Sequence, residues 1–439
     1  MASLKIPLIY KIAVLLCLFG FAFPIYGFPL IGYFKLTFWR IGLFILVILL
    51  PFYWPGSLTN RKSTIILFYA FVFFIARSWS YFFSSYEGKI ISQLVWYFEG
   101  IIYLLIIFAL ANRYKNMFMF YIRSSFFIGF LSIGLIFLQF ILARYGQLFK
   151  LPFSESSFGI SVNFRAWTYP LYGGRIIGSF FEPNMAGTMC ALFYVFFFPL
   201  FFLPSENRVV NKHLLFISLV ICLLALYSTG SRQSFLSVVI ISIIFILIKK
   251  GNPISSLRTK ILRYFTILFF TLGVLYIGGL FSKFITPFGE TQENVILRSH
   301  IDETVVDNSK HGNPYYPRSY FYHLILSKLK VENIPFGEGE GSSTQAGVIT
   351  VHNAFLITLF EMGVVGLFLL ITFLGIFLKS TWISYKRYRG NPNVLYCLSS
   401  VFVVIAWIIL IFINWAQLNQ SVSYFFLAYP IISLIHLKS

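Results

Sequence analysis

Gly337-Glu338-Gly339-Glu340-Gly341, then Thr350-Val351-His352-Asn353, and at once the apolar run Ala354–Leu378: so ends the one long polar stretch of this chain, Phe281–Asn353. Both aspartates of the protein, Asp302 and Asp307, fall inside that stretch. So do His300, His311, His323 and His352, four of its six histidines. Apolar sequence lies on either side. In hydrocarbon there is no water to satisfy backbone N–H and C=O groups, so spanning segments must bond internally as helices. A polar segment of this size between such helices reads as an extramembrane loop carrying function. The rest of the chain reads as the frame that holds it.

Composition agrees with that reading. Hydrophobic residues make up 58% of the 439 residues and charged residues 11%, with a mean hydropathy of +0.82. A soluble domain carries about 25% charged residues. The four cysteines, Cys17, Cys190, Cys222 and Cys397, all sit in apolar runs without CxxC spacing, which supports neither a disulfide framework nor a zinc site. Lys5 precedes the first apolar run, but no small-residue cleavage site follows it, so that run reads as a spanning helix.

A bilayer crossing needs roughly 17–25 apolar residues. Runs of that kind are predicted at 8–27, 37–54, 63–83, 89–111, 124–143, 184–203, 213–229, 232–248, 262–281, 353–378, 395–414 and 419–436. The expected fold is therefore an all-α polytopic membrane protein of about twelve transmembrane helices. One large outer loop lies between helices 9 and 10. The chain divides into 1–280 (helices 1–9), the loop 281–352, and 353–439 (helices 10–12). Within the loop, Pro317 suits the first position of a helix. Phe321, Leu324, Ile325 and Leu329 then share one face, which predicts an amphipathic helix over 318–330.

The formal net charge of +20 points to nucleic acid only until its placement is examined. With the N-terminus in the cytoplasm, eighteen of the 34 basic residues fall in cytoplasmic segments, against one acid, Glu206. Such a bias orients membrane proteins and makes the basic excess a topology signal. Both termini are then cytoplasmic. The segment 144–183, the turn at Gly230-Ser231 and the loop 282–352 face outward.

Three clusters occupy that outer side: Gly174–Asn184, Ser228–Gln233, and His352–Leu356 followed by Glu361-Met362-Gly363 and Gly366. Each precedes a helix running from outside to inside, so three positive helix ends face outward. Arginine beside helix N-termini suits an anion, most naturally a phosphate. Arg175 also reads as a snorkelling loop residue, His352 as an interfacial anchor, and Asn353 as the N-cap of the tenth helix whatever its chemistry. Asp302, Glu303 and Asp307 show no metal-ligand spacing and read as a solvated acidic face.

The run Arg175-Ile176-Ile177-Gly178-Ser179-Phe180-Phe181-Glu182-Pro183-Asn184 resembles an R-x-x-G-x-F-x-x-P-N signature, and Ser231-Arg232 resembles the S-R element that follows it. His352-Asn353-Ala354-Phe355-Leu356 and Glu361-Met362-Gly363-Val364-Val365-Gly366 are similar to H-N-x-x-L and E-x-G-x-x-G. In this order, with a long outer loop before H-N, they resemble the landmarks of the bacterial O-antigen ligase and O-antigen polymerase superfamily. The likeness spans roughly residues 165–378.

The resemblance implies a GT-C-like membrane glycosyltransferase using an undecaprenyl-diphosphate-linked glycan on the outer face of the bacterial plasma membrane. No cofactor and no metal is implied. Arg175 and Arg232 would hold the diphosphate and His352 would lie beside the acceptor, with Arg318, Asn184, Ser231, Asn353 and Glu361 contributing to binding. The acceptor would be a second lipid-linked glycan for a polymerase or a lipid-A core for a ligase. Both reactions share donor and leaving group, so the clusters do not separate them; the resemblance to Phe-rich, divergent members favours the polymerase. The competing class is a transporter or lipid-linked sugar flippase. Arg77 and Glu99 support it, being placed on adjacent helices within about one turn (~5.4 Å) and so able to pair. Paired inverted halves, the usual transporter signature, are not visible.

Overall fold

The computed structural model describes residues 5–24, 27–29, 35–53, 61–82, 89–114, 116–144, 171–172, 175–180, 183–249, 325–339, 342, 353–389, 391, 394–413 and 421–436. The helices are α1 (Leu8–Ala22), α2 (Phe38–Ile48), the short α3 (Leu50–Tyr53), α4 (Arg61–Tyr81), α5 (Lys89–Arg113), α6 (Met117–Arg144), α7 (Pro183–Leu200), α8 (Lys212–Ser228), α9 (Arg232–Lys249), α10 (Ala354–Arg387), α11 (Val394–Ile413) and α12 (Ser421–His436). There are also two short 3-10 turns, Ser205–Asn207 and Val331–Asn333, and two small antiparallel pairs: β1 (Gly27–Pro29) with β2 (Lys35–Thr37), and β3 (Leu171–Tyr172) with β4 (Arg175–Ile176). Five of the described helices are long and apolar enough to cross a membrane: Thr64–Tyr81, Met117–Leu142, Pro183–Leu200, Ala354–Arg387 and Val394–Phe412. The fold is thus all-α, with helices of membrane-crossing length and composition.

Among the described residues, helix is found at every predicted run except 262–281, which lies outside them. Some boundaries differ, because hydropathy stops at charge and backbone bonding does not. Helix α6 starts at Met117 and takes in Arg123. Helix α10 continues past Leu378 to Arg387, carrying Lys379 and Lys386 with it. Of the predicted amphipathic helix 318–330, the described part is a helical turn at 325–328 with Ile325 buried and Leu326 exposed.

Helix α7 is the axis of the bundle. All its residues but Asn184 are buried, as expected of a helix that is apolar all round. It packs against α6, α8, α9, α11 and α12. Phe193 and Phe197 meet Phe126 of α6 with ring centroids 5.8 and 5.1 Å apart, and Phe196 stacks on Tyr429 of α12 at 3.7 Å. Two buried tyrosine hydroxyls pair inside this core. The Tyr103 and Tyr121 hydroxyls lie 2.7 Å apart, and Tyr121 donates to the Phe425 carbonyl at 2.9 Å.

Among the described residues two ion pairs lie between helices, and one differs from the pairing the sequence suggested. Glu99 on α5 pairs with Arg40 on α2, Nε to Oε1 at 2.9 Å, rather than with Arg77. Helix α4 packs on both α5 and α10, but its rotation sets Arg77 4.0 Å from Glu361, while α2, alongside α5, brings Arg40 to Glu99.

Helix directions follow from a few contacts. Gly187 of α7 abuts Ser231 and Ser234 of α9, while Phe198 and Phe245, near the far ends of the same helices, are 5.2 Å apart. Helices α7 and α9 are therefore parallel. Helix α11 runs the other way: Tyr396 near its start donates to the Asn207 carbonyl beyond the end of α7 at 2.8 Å. Phe412 near its end meets Phe355 at the start of α10 at 5.7 Å. The N-termini of α7, α9 and α10 consequently share one end of the bundle.

The opposite end carries Arg113, Arg208, Lys212, Lys386, Arg387 and Arg389. Tyr114, after α5, meets Tyr10 at the start of α1 at 5.9 Å, and Phe118, at the start of α6, meets Tyr396 at 5.3 Å.

Candidate functional site

The shared end holds the candidate site. Helix α7 opens with Pro183, whose missing N–H costs nothing at a first helical position, and the Asn184 carbonyl accepts from the Thr188 hydroxyl at 2.8 Å. The segment just before it is pinned from two sides. The Gly178 N–H donates to Gln139 Oε1 of α6 at 3.0 Å, and the Ser179 hydroxyl donates to the Ala22 carbonyl of α1 at 2.7 Å. Ser132 of α6 reaches the same carbonyl at 3.1 Å. Arg175 belongs to β4, with its backbone opposite Tyr172.

The second cluster is the tight turn between α8 and α9. Gly230 has a φ of +59°, which reverses the chain in one residue. The Ser231 carbonyl accepts the Phe235 N–H at 3.0 Å, the backbone role of an N-cap. Its hydroxyl, however, sits 2.9 Å from Ser234 Oγ. Ser231 is buried (1% exposed) against Gly187, where any Cβ would overlap its side chain. The second cluster is thus seated against the first turns of α7, just after the first cluster, with a glycine on α7 as the condition. Arg232, the first residue of α9, is exposed. Beside it Gln233 is buried (6% exposed), and its amide nitrogen has no hydrogen-bond partner among the described residues.

The third cluster opens α10. Asn353 caps it as expected, its Oδ1 accepting from the Phe355 and Leu356 N–H groups at 3.0 and 3.1 Å. Nearly three turns further on, the helix breaks at Gly363 (φ 67°, ψ −165°). The polar segment before α10 docks into that break. The Glu338 and Gly339 N–H groups donate to the Phe360 and Glu361 carbonyls at 2.7 and 3.0 Å. The Val364 and Val365 N–H groups donate to the Ile334 and Pro335 carbonyls at 2.9 and 3.2 Å. The break frees backbone groups that must find partners in an apolar setting, and the strap supplies them. Strap and helix approach so closely that a Cβ on Gly337 or Gly363 would overlap the facing backbone.

Glu361 lies at this junction. Its side chain is buried opposite Arg77, and its carbonyl accepts from the Ser80 hydroxyl at 2.7 Å as well as from Gly339. It ties the strap and α10 to α4. Arg77, Ser80 and the strap are the parts that sequence reasoning did not connect to the E-x-G-x-x-G element. The signal was there in Gly337, Gly339 and Gly363, three of the described glycines with positive φ. His352 and Arg318 lie outside the described residues.

Ser231, Arg232, Asn184, Asn353 and Glu361 therefore reach one end of the bundle, Arg232 open to the surroundings and Glu361 buried in an ion pair. Three positive helix ends and an exposed guanidinium make that end attractive to anions. No protein-family model and no curated protein matches this chain.

Proposed function

We propose that this chain is a glycosyltransferase of the bacterial plasma membrane. It moves a glycan from an undecaprenyl-diphosphate carrier to an acceptor hydroxyl, extending O-antigen or other surface polysaccharide repeats. The observation that carries this reading is the exposed Arg232 at the N-terminus of α9, in contact with the start of α7 and at the same end as the start of α10. The chain crosses the bilayer twelve times, with the basic end and both termini in the cytoplasm and the Arg232 end in the periplasm.

In the reaction, the acceptor oxygen bonds to the anomeric carbon as the bond from that carbon to the carrier diphosphate breaks. The diphosphate leaves as an anion held by Arg232, Arg175 and the helix ends, whose fixed charges and dipoles favour the charge that develops. The acceptor proton passes to His352, whose ordinary pKa of about 6.5 suits a general base. Arg318, Asn184, Ser231 and Asn353 position donor and acceptor. Glu361 acts through the strap, holding the loop that carries His352. The reaction needs no metal and no cofactor.

The test is purified protein supplied with lipid-linked repeats alone. A ladder of longer chains is expected. Extension only after lipid-A core is added would make the enzyme an O-antigen ligase. Movement of the carrier across the bilayer with no new glycosidic bond would make it a flippase, the reading favoured by the interhelical pairs Arg40–Glu99 and Arg77–Glu361.

A further inference from the structure

Toward the basic end, α10 presents Gly375, Leu378, Lys379 and Trp382 at the i, i+3, i+4, i+7 spacing of one helical stripe. With Ile405 of α11 they line an open groove of about 430 Å³. Gly375 leaves the groove unfilled, since a Cβ there would meet nothing within 4 Å. Lys379 is exposed and Trp382 half-buried. One turn beyond, the Lys386 ammonium lies 5.9 Å from the centre of the Trp382 ring. Gly375 and Lys386 are eleven residues apart, ~16 Å along the helix. The groove is therefore apolar at its inner end and cationic and aromatic at its outer end, the sequence of environments that a phospholipid presents in reverse.

We propose that this groove holds one anionic phospholipid of the bilayer. Its acyl chain lies along Gly375, Leu378 and Ile405, and its phosphate lies between Lys379 and Lys386. Lys379 follows the apolar run 353–378 at once, so its ammonium stands where hydrocarbon gives way to headgroups, and a phosphate drawn into the groove supplies its counter-ion there. No acidic residue stands among the described residues that line the groove, so charge favours an anionic over a zwitterionic headgroup. Trp382 belongs at that interface, where indole rings concentrate.

The test uses the full chain reconstituted in nanodiscs of equal phosphatidylglycerol and phosphatidylcholine, released into detergent and weighed by native mass spectrometry. The wild type is expected to keep one phosphatidylglycerol in preference to phosphatidylcholine. Lys379→Gln should lower that preference about fivefold, the effect of one cation near an anionic surface. Gly375→Leu should fill the groove and remove lipid of both kinds, while the exchange itself favours helix. Arg389→Gln, a cation outside the groove, should leave the preference unchanged. Equal loss in Lys379→Gln and Arg389→Gln would reveal diffuse attraction and overturn the site. So would lipid retained by Gly375→Leu, or a wild type that holds phosphatidylcholine equally well.

Discussion

The guanidinium of Arg77 on α4 faces the carboxylate of Glu361 on α10 at 4.0 Å, with both side chains almost wholly withdrawn from the surface. Neither charge is tolerable alone in an apolar bundle, so each helix fixes the placement of the other. Because the Glu361 carbonyl also accepts from Ser80 and Gly339, one residue joins α4, α10 and the strap.

Removing one partner should therefore cost far more than removing both. Arg77→Met removes the cation that faces the buried Glu361 carboxylate, a change that destabilises by ~3–5 kcal/mol. Arg77→Met combined with Glu361→Leu should regain most of that loss. Thermal unfolding in detergent measures both. A single variant as stable as the wild type would show that the pair does not hold the helices together.

Gly363→Ala tests the strap. The residue sits at φ 67°, and a Cβ would overlap the Pro335 carbonyl. Hydrogen exchange at the Glu338, Gly339, Val364 and Val365 amides should speed up about tenfold or more, since each lost bond is worth ~0.5–1.5 kcal/mol. The amides of Phe355 and Leu356, bonded to Asn353, should keep their protection. Unchanged exchange at the four strap amides would mean that the docking does not depend on this glycine.

The contact between α7 and α9 depends on Gly187. Gly187→Ala drives a Cβ into Ser231, and overpacking of this kind costs ~1–3 kcal/mol. Ser231→Gly in the same chain should relieve it, because glycine serves at an N-cap position nearly as well as serine. If the double variant is no more stable than Gly187→Ala, the strain lies elsewhere.

Arg232 is exposed, so Arg232→Ala should leave insertion and stability intact while turnover falls. A charge-assisted contact is worth ~1.5–3 kcal/mol, which is roughly a 10- to 150-fold loss. Arg232→Lys should recover little, since the bidentate fork is gone. His352→Ala should abolish turnover but keep donor binding, and chelators should have no effect. Activity lost to a chelator and restored by a divalent cation would overturn this and make Asp302, Glu303 and Asp307 candidate metal ligands.

Helix positions were readable because a spanning segment must be both apolar and internally bonded, and both demands are local. The same locality made Asn353 legible as a cap and Gly230 as a turn. Pairings between helices were not, as Glu99 shows. Depth along the chain made Arg77 a reasonable partner, but rotation of each helix about its own axis chooses the counter-ion, and packing sets that rotation.

By itself, the sequence determined a helical membrane chain, the polar stretch before His352 and the three glycine-bearing clusters, since hydropathy, caps and turns act over a few residues. The basic-residue bias had already placed the starts of α7, α9 and α10 on one side, and helix packing brings them to one end of the bundle. Only the tertiary structure decided that Gly187 admits Ser231, and that the strap fills the break at Gly363 beside Arg77 and Glu361. Those relationships join residues far apart in the chain. They arise because close-packed helices, deprived of water, must satisfy every exposed backbone group and every charge from one another.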